Sequence, residues 1–471
     1  MENMNEKRVE HDLLGQRELP ADALYGIQTL RGVENFNISA FRLSEYPQFI
    51  KGLAYTKQAA AVANHFLGLL SDEQYKAVVE ACEEVAAGKF NDQFPVDMIQ
   101  GGANMNANEV IANIPLLKMG HKPGEYEHCS PHDHINRSQS TNDAYPTAIH
   151  LGLYASHLEL LPHLEQLVAA FKTKGDAFAH IVKMGRTQLE DAVPMTLGQT
   201  FHGFGNILEN EIVHLNEAAN DFLTVNMGAT AIGTGICSEP GYAERTVEAL
   251  KEITGWNVNL AEDWVGATSD TSCMVGYMSA LKRVAVKLSK ISNDLRLLAS
   301  GPRCGLGEIN LPARQPGSSI MPGKVNPVIP EVVSQVAFKV MGNELCTTMA
   351  GEAAQMELNA MEPVMAQCCF ESIDLIVNAM DTLRTLCVEG ITANEEHCRT
   401  EVRNSIGIVT ALNPYIGYEH STTIAKKAME TGRSVYDLVL EEGILTQEDL
   451  DTILDPKNMV RPVKLDIHPK A

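Results

Sequence analysis

The stretch 281–298, LKRVAVKLSKISNDLRLL, carries apolar residues at spacings of three, four, three, four and three. This spacing puts them on one face of an α-helix and is typical of long helices that pack about 20° from parallel. A second stretch, 369–387, CFESIDLIVNAMDTLRTLC, has a similar stripe, and further apolar residues lie beside both. We therefore predict long core helices, each packed against more than one neighbour. The stripe residues are Leu281, Val284, Leu288, Ile291, Leu295 and Leu298, and Cys369, Ile373, Ile376, Met380, Leu383 and Cys387.

Helical patterns also precede these two stretches. Amphipathic periodicity predicts helices at 48–68 and 72–88, with Ser71 as the N-cap of the second. From about residue 147 the chain again shows long-period helical spacing. The pattern as a whole predicts an all-α fold class.

The two ends of the chain differ from this pattern. Residues 11–36 are broken by glycine and proline, which predicts irregular or short-stranded structure. After about residue 390 the helices become short. There, Ser434–Asp437 and Thr446–Asp449 predict capping boxes that open two helices, with Gly443 ending the first of them.

The composition limits the number of domains and the class of partner. A chain of 471 residues is long for one core, so we expect two or three domains. The formal net charge is −23, from 37 basic and 60 acidic residues. Nucleic acid and anionic membranes require a basic protein face, so we expect neither as a partner. A dicarboxylate ligand would need a local cation, and Lys324 is the candidate.

The distribution of charged and apolar residues favours a cytoplasmic location. The stretch 1–15, MENMNEKRVEHDLLG, has charges where a signal peptide needs an apolar core. No run reaches the roughly eighteen apolar residues of a membrane span. The ten cysteines show no CxxC spacing, which is typical of reduced thiols in a cytoplasmic protein.

A loop rich in glycine, serine and proline follows the first helical stripe. It reads GSSIMPGKVNP, residues 317–327. Its composition permits a flexible connector, but Lys324, Asn326 and two hydroxyls within eleven residues favour a functional loop. A phosphate-binding P-loop is excluded, because five residues separate Gly317 from Gly323 and Val325 follows the lysine.

This loop resembles the signature of the fumarase/aspartase superfamily, whose members eliminate across a C–N or C–O bond to release fumarate. Three further blocks extend the resemblance over almost the whole chain: SQSTNDAYPT at 138–147, MGRTQLEDAVPMTLGQ at 184–199 and SIGIVTALNPYIGYE at 405–419. The resemblance implies an all-α, three-domain fold with a long central helical bundle. It also implies a homotetramer whose active sites are shared between subunits.

The implied domains are an N-terminal domain at 1–143, a central long-helix bundle at 144–395 and a small C-terminal helical domain at 396–471. The implied partner is a small-molecule substrate, L-aspartate or fumarate.

The chemistry expected from these residues is anion recognition combined with one base. Neither GLGEIN at 305–310 nor IGTGIC at 232–237 completes a dinucleotide fingerprint, and we expect no cofactor. Hydroxyls, amides and one lysine fit β-elimination from a dicarboxylate amino acid, which passes through an enediolate-like dianion. By resemblance, the reaction is reversible conversion of L-aspartate to fumarate and ammonia.

The resemblance assigns the catalytic base to Ser318. A serine hydroxyl is a very weak acid, so it can act as a base only if loop N–H groups and the nearby ammonium stabilise its oxyanion. Hydroxyls and a lysine would bind the substrate's carboxylates, while Thr187 and Gln188 would orient its amine. The substrate-binding residues implied in this way are Ser140, Thr141, Asn142, Thr187, Gln188, Ser319, Lys324 and Asn326.

Two features bear on which member of the superfamily this chain resembles. Fumarases usually carry His where this chain has Gln188, and SIGIVT at 405–410 is closer to aspartases. Fumarate hydratase is therefore the weaker alternative.

A gap at Ala103 sets this chain apart from the family pattern. Members usually read GGAGTSxNMN, whereas here Ala103 runs directly into Asn104, so four residues that include a substrate-binding Thr are missing. We therefore expect weakened turnover of aspartate. The alternative is a folded but inactive homologue that acts as a structural or binding protein.

A cluster of histidines has a spacing that invites a metal site. The segment EHCSPHDH contains His128, Cys129, His132 and His134. Closed zinc sites usually need two separated ligand pairs, so we interpret the segment as a surface loop and predict no metal site.

Overall fold

The computed structural model describes residues 6–100 and 102–467. Residues 1–5 of the charged N-terminal stretch, and Gly101 at the start of the shortened block, lie outside the described residues. The chain divides into two compact units. The first consists of Met1–Pro162, Glu211–Ala285 and Val336–Val377, and the second of His163–Asn210, Val286–Gln335 and Asn378–Ala471.

Helices dominate the described residues, as the sequence predicts for an all-α fold. The helices are α1 Ile27–Asn35, α2 Pro47–Phe66, α3 Asp72–Ala86, α4 Ala103–Lys118, α5 Thr141–Ala177, α6 Leu197–Asn220, α7 Tyr242–Thr254, α8 Trp264–Ser269, α9 Ser272–Leu298, α10 Val328–Glu352, α11 Glu362–Leu386, α12 Glu395–Asn404, α13 Asn413–Ile416, α14 Tyr418–Thr431, α15 Val435–Glu442, α16 Gln447–Ile453 and α17 Pro456–Met459. The strands are β1 Lys7–Asp12, β2 Gly15–Pro20, β3 Val182–Thr187, β4 Glu190–Thr196, β5 Thr224–Val225, β6 Asn259–Leu260, β7 Ile309–Asn310 and β8 Thr392–Ala393.

The two apolar stripes lie on long helices and face the protein interior. The first stripe lies on α9 and the second on α11, with Cys387 directly after the end of α11. All twelve stripe residues are buried. Their burial confirms that the three-and-four spacing marks core positions.

The N-terminal part of the first unit contains a hairpin and a short helix. Strands β1 and β2 pair antiparallel, as expected for residues 11–36, but the helix α1 in that stretch was not predicted. The N–H group of its first residue, Ile27, donates to Glu10 of β1 at 2.8 Å, and the neighbouring N–H groups are bound by the buried Glu109 of α4. That carboxylate accepts from Gly26 N at 2.8 Å, Gln28 N at 2.8 Å and Thr29 N at 3.1 Å. A cap supplied from about eighty residues away leaves no local signal in the sequence.

The core of the first unit packs α2, α5 and α7 around small and aromatic side chains. It contains Ala59, Leu151, Tyr242 and Leu250, with Trp256 packed against it. The parallel strands β5 and β6 lie beside this core. Ser71 caps α3 by accepting from Gln74 N, which confirms the predicted N-cap.

The second unit holds two antiparallel strand pairs, β3 with β4 and β7 with β8, together with the short C-terminal helices. Ser434 accepts from Asp437 N at the start of α15, Gly443 ends that helix, and Thr446 with Asp449 forms a reciprocal capping box on α16. These contacts confirm the predicted helix starts, the predicted stop and the capping box at Thr446–Asp449. At Ser434–Asp437 the contact described is the one-way bond to Asp437 N, so the predicted reciprocal box is not formed there.

Among the residues described, no helix is long and apolar enough to cross a membrane. The division into three domains at 143 and 395 remains a prediction.

Candidate active site

The loop 317–327 is closed at its base by its own residues. Gly317 N donates to Lys324 O at 2.7 Å, and Asn326 Nδ2 donates to Gly317 O at 2.8 Å. The two ends approach so closely that a Cβ on Gly317 would lie 2.7 Å from Asn326 N and from Lys324 O. Only glycine fits there, so the loop has a defined shape that a flexible connector would lack.

Within this loop, the Ser318 hydroxyl is held by backbone donors. Its Oγ accepts from Ile320 N at 3.2 Å and from Met321 N at 2.9 Å. Both donors point at the oxygen that would carry negative charge in the alkoxide form of the serine. These two N–H groups are therefore placed to stabilise negative charge at Ser318 Oγ.

The other loop residues differ in their surroundings. Ser319 and Lys324 are exposed, whereas Asn326 is half-buried. The contact from Asn326 Nδ2 to Gly317 O was not predicted, and it gives this side chain a part in shaping the loop. Its predicted contact with a substrate carboxylate remains a prediction.

Thr187 and Gln188 lie at the exposed tip of the hairpin formed by β3 and β4. The turn residues Gln188 and Leu189 have φ values of 54° and 67°. A two-residue turn of this kind prefers glycine or asparagine, because other side chains are strained at positive φ. Strained backbone of this kind occurs most often at functional sites.

Glu308 anchors this hairpin inside the second unit. Its carboxylate is fully buried and lies 3.0 Å from Lys183 Nζ, and Arg186 donates to its other oxygen. Arg186 also approaches Glu401 at 3.3 Å. Both cations lie on β3, and Arg186 directly precedes Thr187. Sequence reasoning examined GLGEIN only as a nucleotide motif and missed this contact, which joins residues more than a hundred positions apart.

Ser140, Thr141 and Asn142 form the start of α5 in the first unit, as the N-cap pattern predicts. Asn142 N donates to Ser140 Oγ at 3.2 Å, and Asn104 Nδ2 donates to Thr141 Oγ1 at 3.2 Å. Asn142 Nδ2 donates to Ala231 O at 2.8 Å. These contacts fix the three side chains at a helix N-terminus, a position that favours bound carboxylates.

Two buried ionisable groups support the start of α5. Asp143 accepts from the backbone N–H groups of Gly228 and Thr230, each at 3.0 Å. Burial raises the pKa of Asp143 to about 6, opposed by its backbone hydrogen bonds. Lys57 of α2 donates to Gln139 Oε1 at 2.8 Å, and burial lowers the pKa of this lysine to about 7. Lys57 belongs to no motif, and sequence reasoning missed it.

The gap after Ala103 coincides with the start of α4, where Gly102 has a left-handed backbone. A cavity of about 130 Å³ lies within the first unit at this point. The cavity is lined by the residues flanking the gap and by Thr141 and Asn142 at the start of α5. The missing segment would therefore have adjoined two of the predicted substrate-binding residues.

The histidine segment forms one turn of π-helix at Pro131–Ile135. Ser130 Oγ accepts from His132 N and Asp133 N, and Ser130 N donates to His134 Nδ1 at 2.7 Å. Cys129 is buried, so the segment is less exposed than the surface loop expected there. Over residues 6–100 and 102–467, no group of three His, Cys, Asp or Glu side chains is placed to hold a metal ion.

The predicted site residues are divided between the two units. The first unit brings together three of them, and the second unit holds the remaining six on the hairpin tip and the loop 317–327. The structure adds supporting residues to each group: Lys57 and Asp143 in the first unit, and Glu308 in the second.

Two family models match the chain. The model described as "Lyase" matches residues 15–342, and the model described as "Fumarase C C-terminus" matches residues 408–461. Among curated proteins, an aspartate ammonia-lyase of Pseudomonas aeruginosa is 58% identical, over 97% of each chain. An aspartate ammonia-lyase of Escherichia coli strain K12 is 52% identical, also over 97% of each chain.

Solved structures agree with these matches. A fumarate lyase:delta crystallin from Brucella melitensis, bound to cobalt, superposes with a TM-score of 0.94 at 48% identity, covering 97% of this chain and 100% of that one. A class II fumarase from Schistosoma mansoni gives a TM-score of 0.91 at 32% identity, covering 98% and 100%. The helical fold and the family matches define an all-α lyase of the fumarase type. The chain belongs to the fumarase/aspartase superfamily.

Proposed function

We propose that this protein catalyses the reversible elimination of ammonia from L-aspartate to give fumarate. The curated relatives at 52% and 58% identity, matched over nearly their whole length, are aspartate ammonia-lyases. The fumarase among the solved structures is more distant, at 32% identity. Fumarate hydration is therefore the less favoured reaction, as Gln188 and SIGIVT also indicate.

The single observation that carries the mechanism is the pair of N–H donors at Ser318 Oγ. An alkoxide at this oxygen is stabilised by Ile320 N and Met321 N, and the same loop carries the ammonium of Lys324. Such a base removes a proton from the carbon next to one carboxylate. The electrons of that C–H bond then reside on the carboxylate as an enediolate-like dianion.

The remaining site residues bind the charges of the substrate and of this dianion. Ser140, Thr141 and Ser319 are proposed to donate hydrogen bonds to the carboxylate where charge develops. Lys324 and Asn326 are proposed to bind the α-carboxylate, the lysine by charge. Thr187 and Gln188, at the hairpin tip, are proposed to orient the amine, which leaves as the double bond of fumarate forms. Asn142, at the start of α5, is proposed to bind the substrate together with Ser140 and Thr141.

The protein is proposed to act as a cytoplasmic homotetramer with active sites shared between subunits. The assembly is supported by an apolar face of α10 within Val336–Val377. Phe338, Leu345 and Met349 are 61%, 59% and 65% exposed, and their spacing puts them on one side of the helix. Large side chains exposed together in this way are typical of an interface between subunits.

Comparison of two substrates tests the proposed reaction. The purified full-length protein is incubated with L-aspartate and, separately, with L-malate, and the appearance of fumarate is followed by its ultraviolet absorbance. Faster release from aspartate is expected. Faster release from malate would establish hydration chemistry and overturn the proposal, and no release from either would favour the inactive homologue.

A further inference from the structure

A buried carboxyl group lines the cavity beside the start of α5. Glu362, the first residue of α11, is 6% exposed and faces the cavity of about 130 Å³. Within the described part of the chain, no hydrogen-bond donor or cation contacts its carboxyl group, and burial raises its pKa to about 8. Burying an ionised carboxylate without a partner costs several kcal/mol, so such groups are normally paired.

Asp97 also lines this cavity, and its carboxylate, unlike that of Glu362, is paired with donors. Asp97 accepts from Arg42 Nη1 at 3.0 Å, from Ser39 N at 2.7 Å and from Ile99 N at 3.0 Å. Its donors come from the protein itself. Glu362 has the same chemistry in the same cavity, but the described residues of this chain supply no donor to it. A ligand that enters the cavity can supply the counter-charge.

The surroundings of Glu362 fit a small cation with N–H donors. The rings of Phe49 and Tyr145 line the cavity, and aromatic faces attract ammonium groups. The volume has room for several water-sized groups, which suits an ammonium group and excludes a large amine. Thr141 and Asn142 line the same cavity from the N-terminus of α5, which favours a carboxylate. Carboxylate and ammonium binding groups therefore adjoin each other, as an amino acid requires.

We infer that Glu362 binds the ammonium group of the amino-acid substrate, and the ammonium ion released from it, and so selects an amine over a hydroxyl. This inference rests on the proposed function, because it assigns one charge of the proposed substrate to one residue. Malate and fumarate carry no ammonium group. Binding of either dicarboxylate is therefore independent of Glu362, whereas binding of aspartate and of ammonium depends on it.

The test compares Glu362→Gln with Glu357→Gln in the full-length protein. Both substitutions replace a glutamate by its neutral, similarly shaped amide within residues 357–362, but Glu357 is exposed and does not line the cavity. Three quantities are measured: KM for ammonium in the reverse reaction, KM for aspartate, and inhibition of the forward reaction by fumarate. In parallel, the melting temperature of each protein is measured in ammonium chloride and in tetramethylammonium chloride at equal ionic strength.

Loss of a charge-assisted hydrogen bond predicts that Glu362→Gln raises both KM values about tenfold or more. Fumarate inhibition is expected to stay within about twofold of the wild type, and Glu357→Gln to leave all three values unchanged. Ammonium is expected to raise the melting temperature of the wild type, whereas the bulky tetramethylammonium ion is not. Equal weakening of ammonium and fumarate, or no change in either KM value, would overturn the inference.

Two outcomes separate this inference from the proposed function. If the wild type releases no fumarate from aspartate, the proposed function fails, and the ammonium-specific rise in melting temperature still decides the inference. If Glu362→Gln does not fold, Glu362→Asp keeps the charge but shortens the side chain, and a higher KM for ammonium with unchanged fumarate inhibition is expected. The absence of both effects would contradict the role of Glu362.

Discussion

Replacing Gly317 by alanine tests whether the closed base of the loop 317–327 is needed for catalysis. The added Cβ would lie 2.7 Å from two backbone atoms, Asn326 N and Lys324 O, whereas ordinary contact begins near 3.4 Å. Neither atom belongs to a flexible side chain, so the two ends of the loop must move apart.

The structure sets the expected magnitude. Separating the ends lengthens two hydrogen bonds, Gly317 N to Lys324 O and Asn326 Nδ2 to Gly317 O. At roughly 0.5–1.5 kcal/mol each, their loss disfavours the closed loop by about 1–3 kcal/mol. Ser318, the next residue, moves with the backbone. We expect kcat/KM for aspartate to fall about tenfold to a hundredfold, because a misplaced base loses its alignment with the substrate.

The assay is initial-rate release of fumarate, with the melting temperature measured alongside. The matched control is Gly203→Ala on α6, where an added Cβ meets nothing within 4 Å. That control is expected to keep full activity and to gain about 0.5–1 kcal/mol of stability, since glycine disfavours a helix interior. Activity of Gly317→Ala within twofold of the wild type would refute the reasoning about the loop base.

Four further predictions concern the base, the gap, the assembly and the buried carboxyl group. Ser318→Ala is expected to lose nearly all turnover at an unchanged melting temperature, and near-normal fumarate release would refute the proposed base. Inserting Gly-Thr-Ser-Thr after Ala103 is expected to raise kcat/KM for aspartate at least about tenfold; no change in an already fast enzyme would show that the missing residues are dispensable. Light scattering at micromolar concentration is expected to report a tetramer, and the substitution Phe338→Glu is expected to weaken the association of the subunits. A monomeric wild type would contradict the proposal that subunits share active sites. Because the pKa of Glu362 is raised to about 8, the folded protein holds a proton that the unfolded chain releases near pH 4.5, so stability falls as pH rises between these values. Between about pH 5 and pH 8, urea unfolding should show Glu362→Gln gaining up to about 4 kcal/mol of stability relative to the wild type. An equal difference at both pH values would contradict the raised pKa.

The sequence predicted those parts of the fold that depend on local spacing. The stripes at 281–298 and 369–387 marked buried helix faces because periodicity alone decides which side of a helix is apolar. The caps at Ser71 and Thr446 were predicted because each satisfies backbone groups within three residues. Helix α1 was missed because the N–H groups at its start are bound by Glu109 in another helix and by Glu10 in strand β1, and neither carboxylate is a local capping residue.

The same distinction holds for the candidate site. The motif directed attention to Ser318, and the requirement for N–H donors followed from the weak acidity of serine. The donors themselves depend on the backbone turn at 318–321, which composition does not specify. Glu308, Lys57 and Glu362 act through contacts or a cavity formed by residues distant in sequence, so no spacing pattern points to them.

The contact between Glu109 and α1 has a consequence for the order in which the N-terminal region becomes structured. An isolated helix of nine residues is marginal in water, so we expect α1 to depend on the carboxylates of Glu109 and Glu10 that bind its first N–H groups. The amide hydrogens of Gln28 and Thr29 then exchange with solvent no faster than their contact with Glu109 opens. The hydrogen-exchange rates of these two amides therefore report how often a contact between residues about eighty positions apart opens.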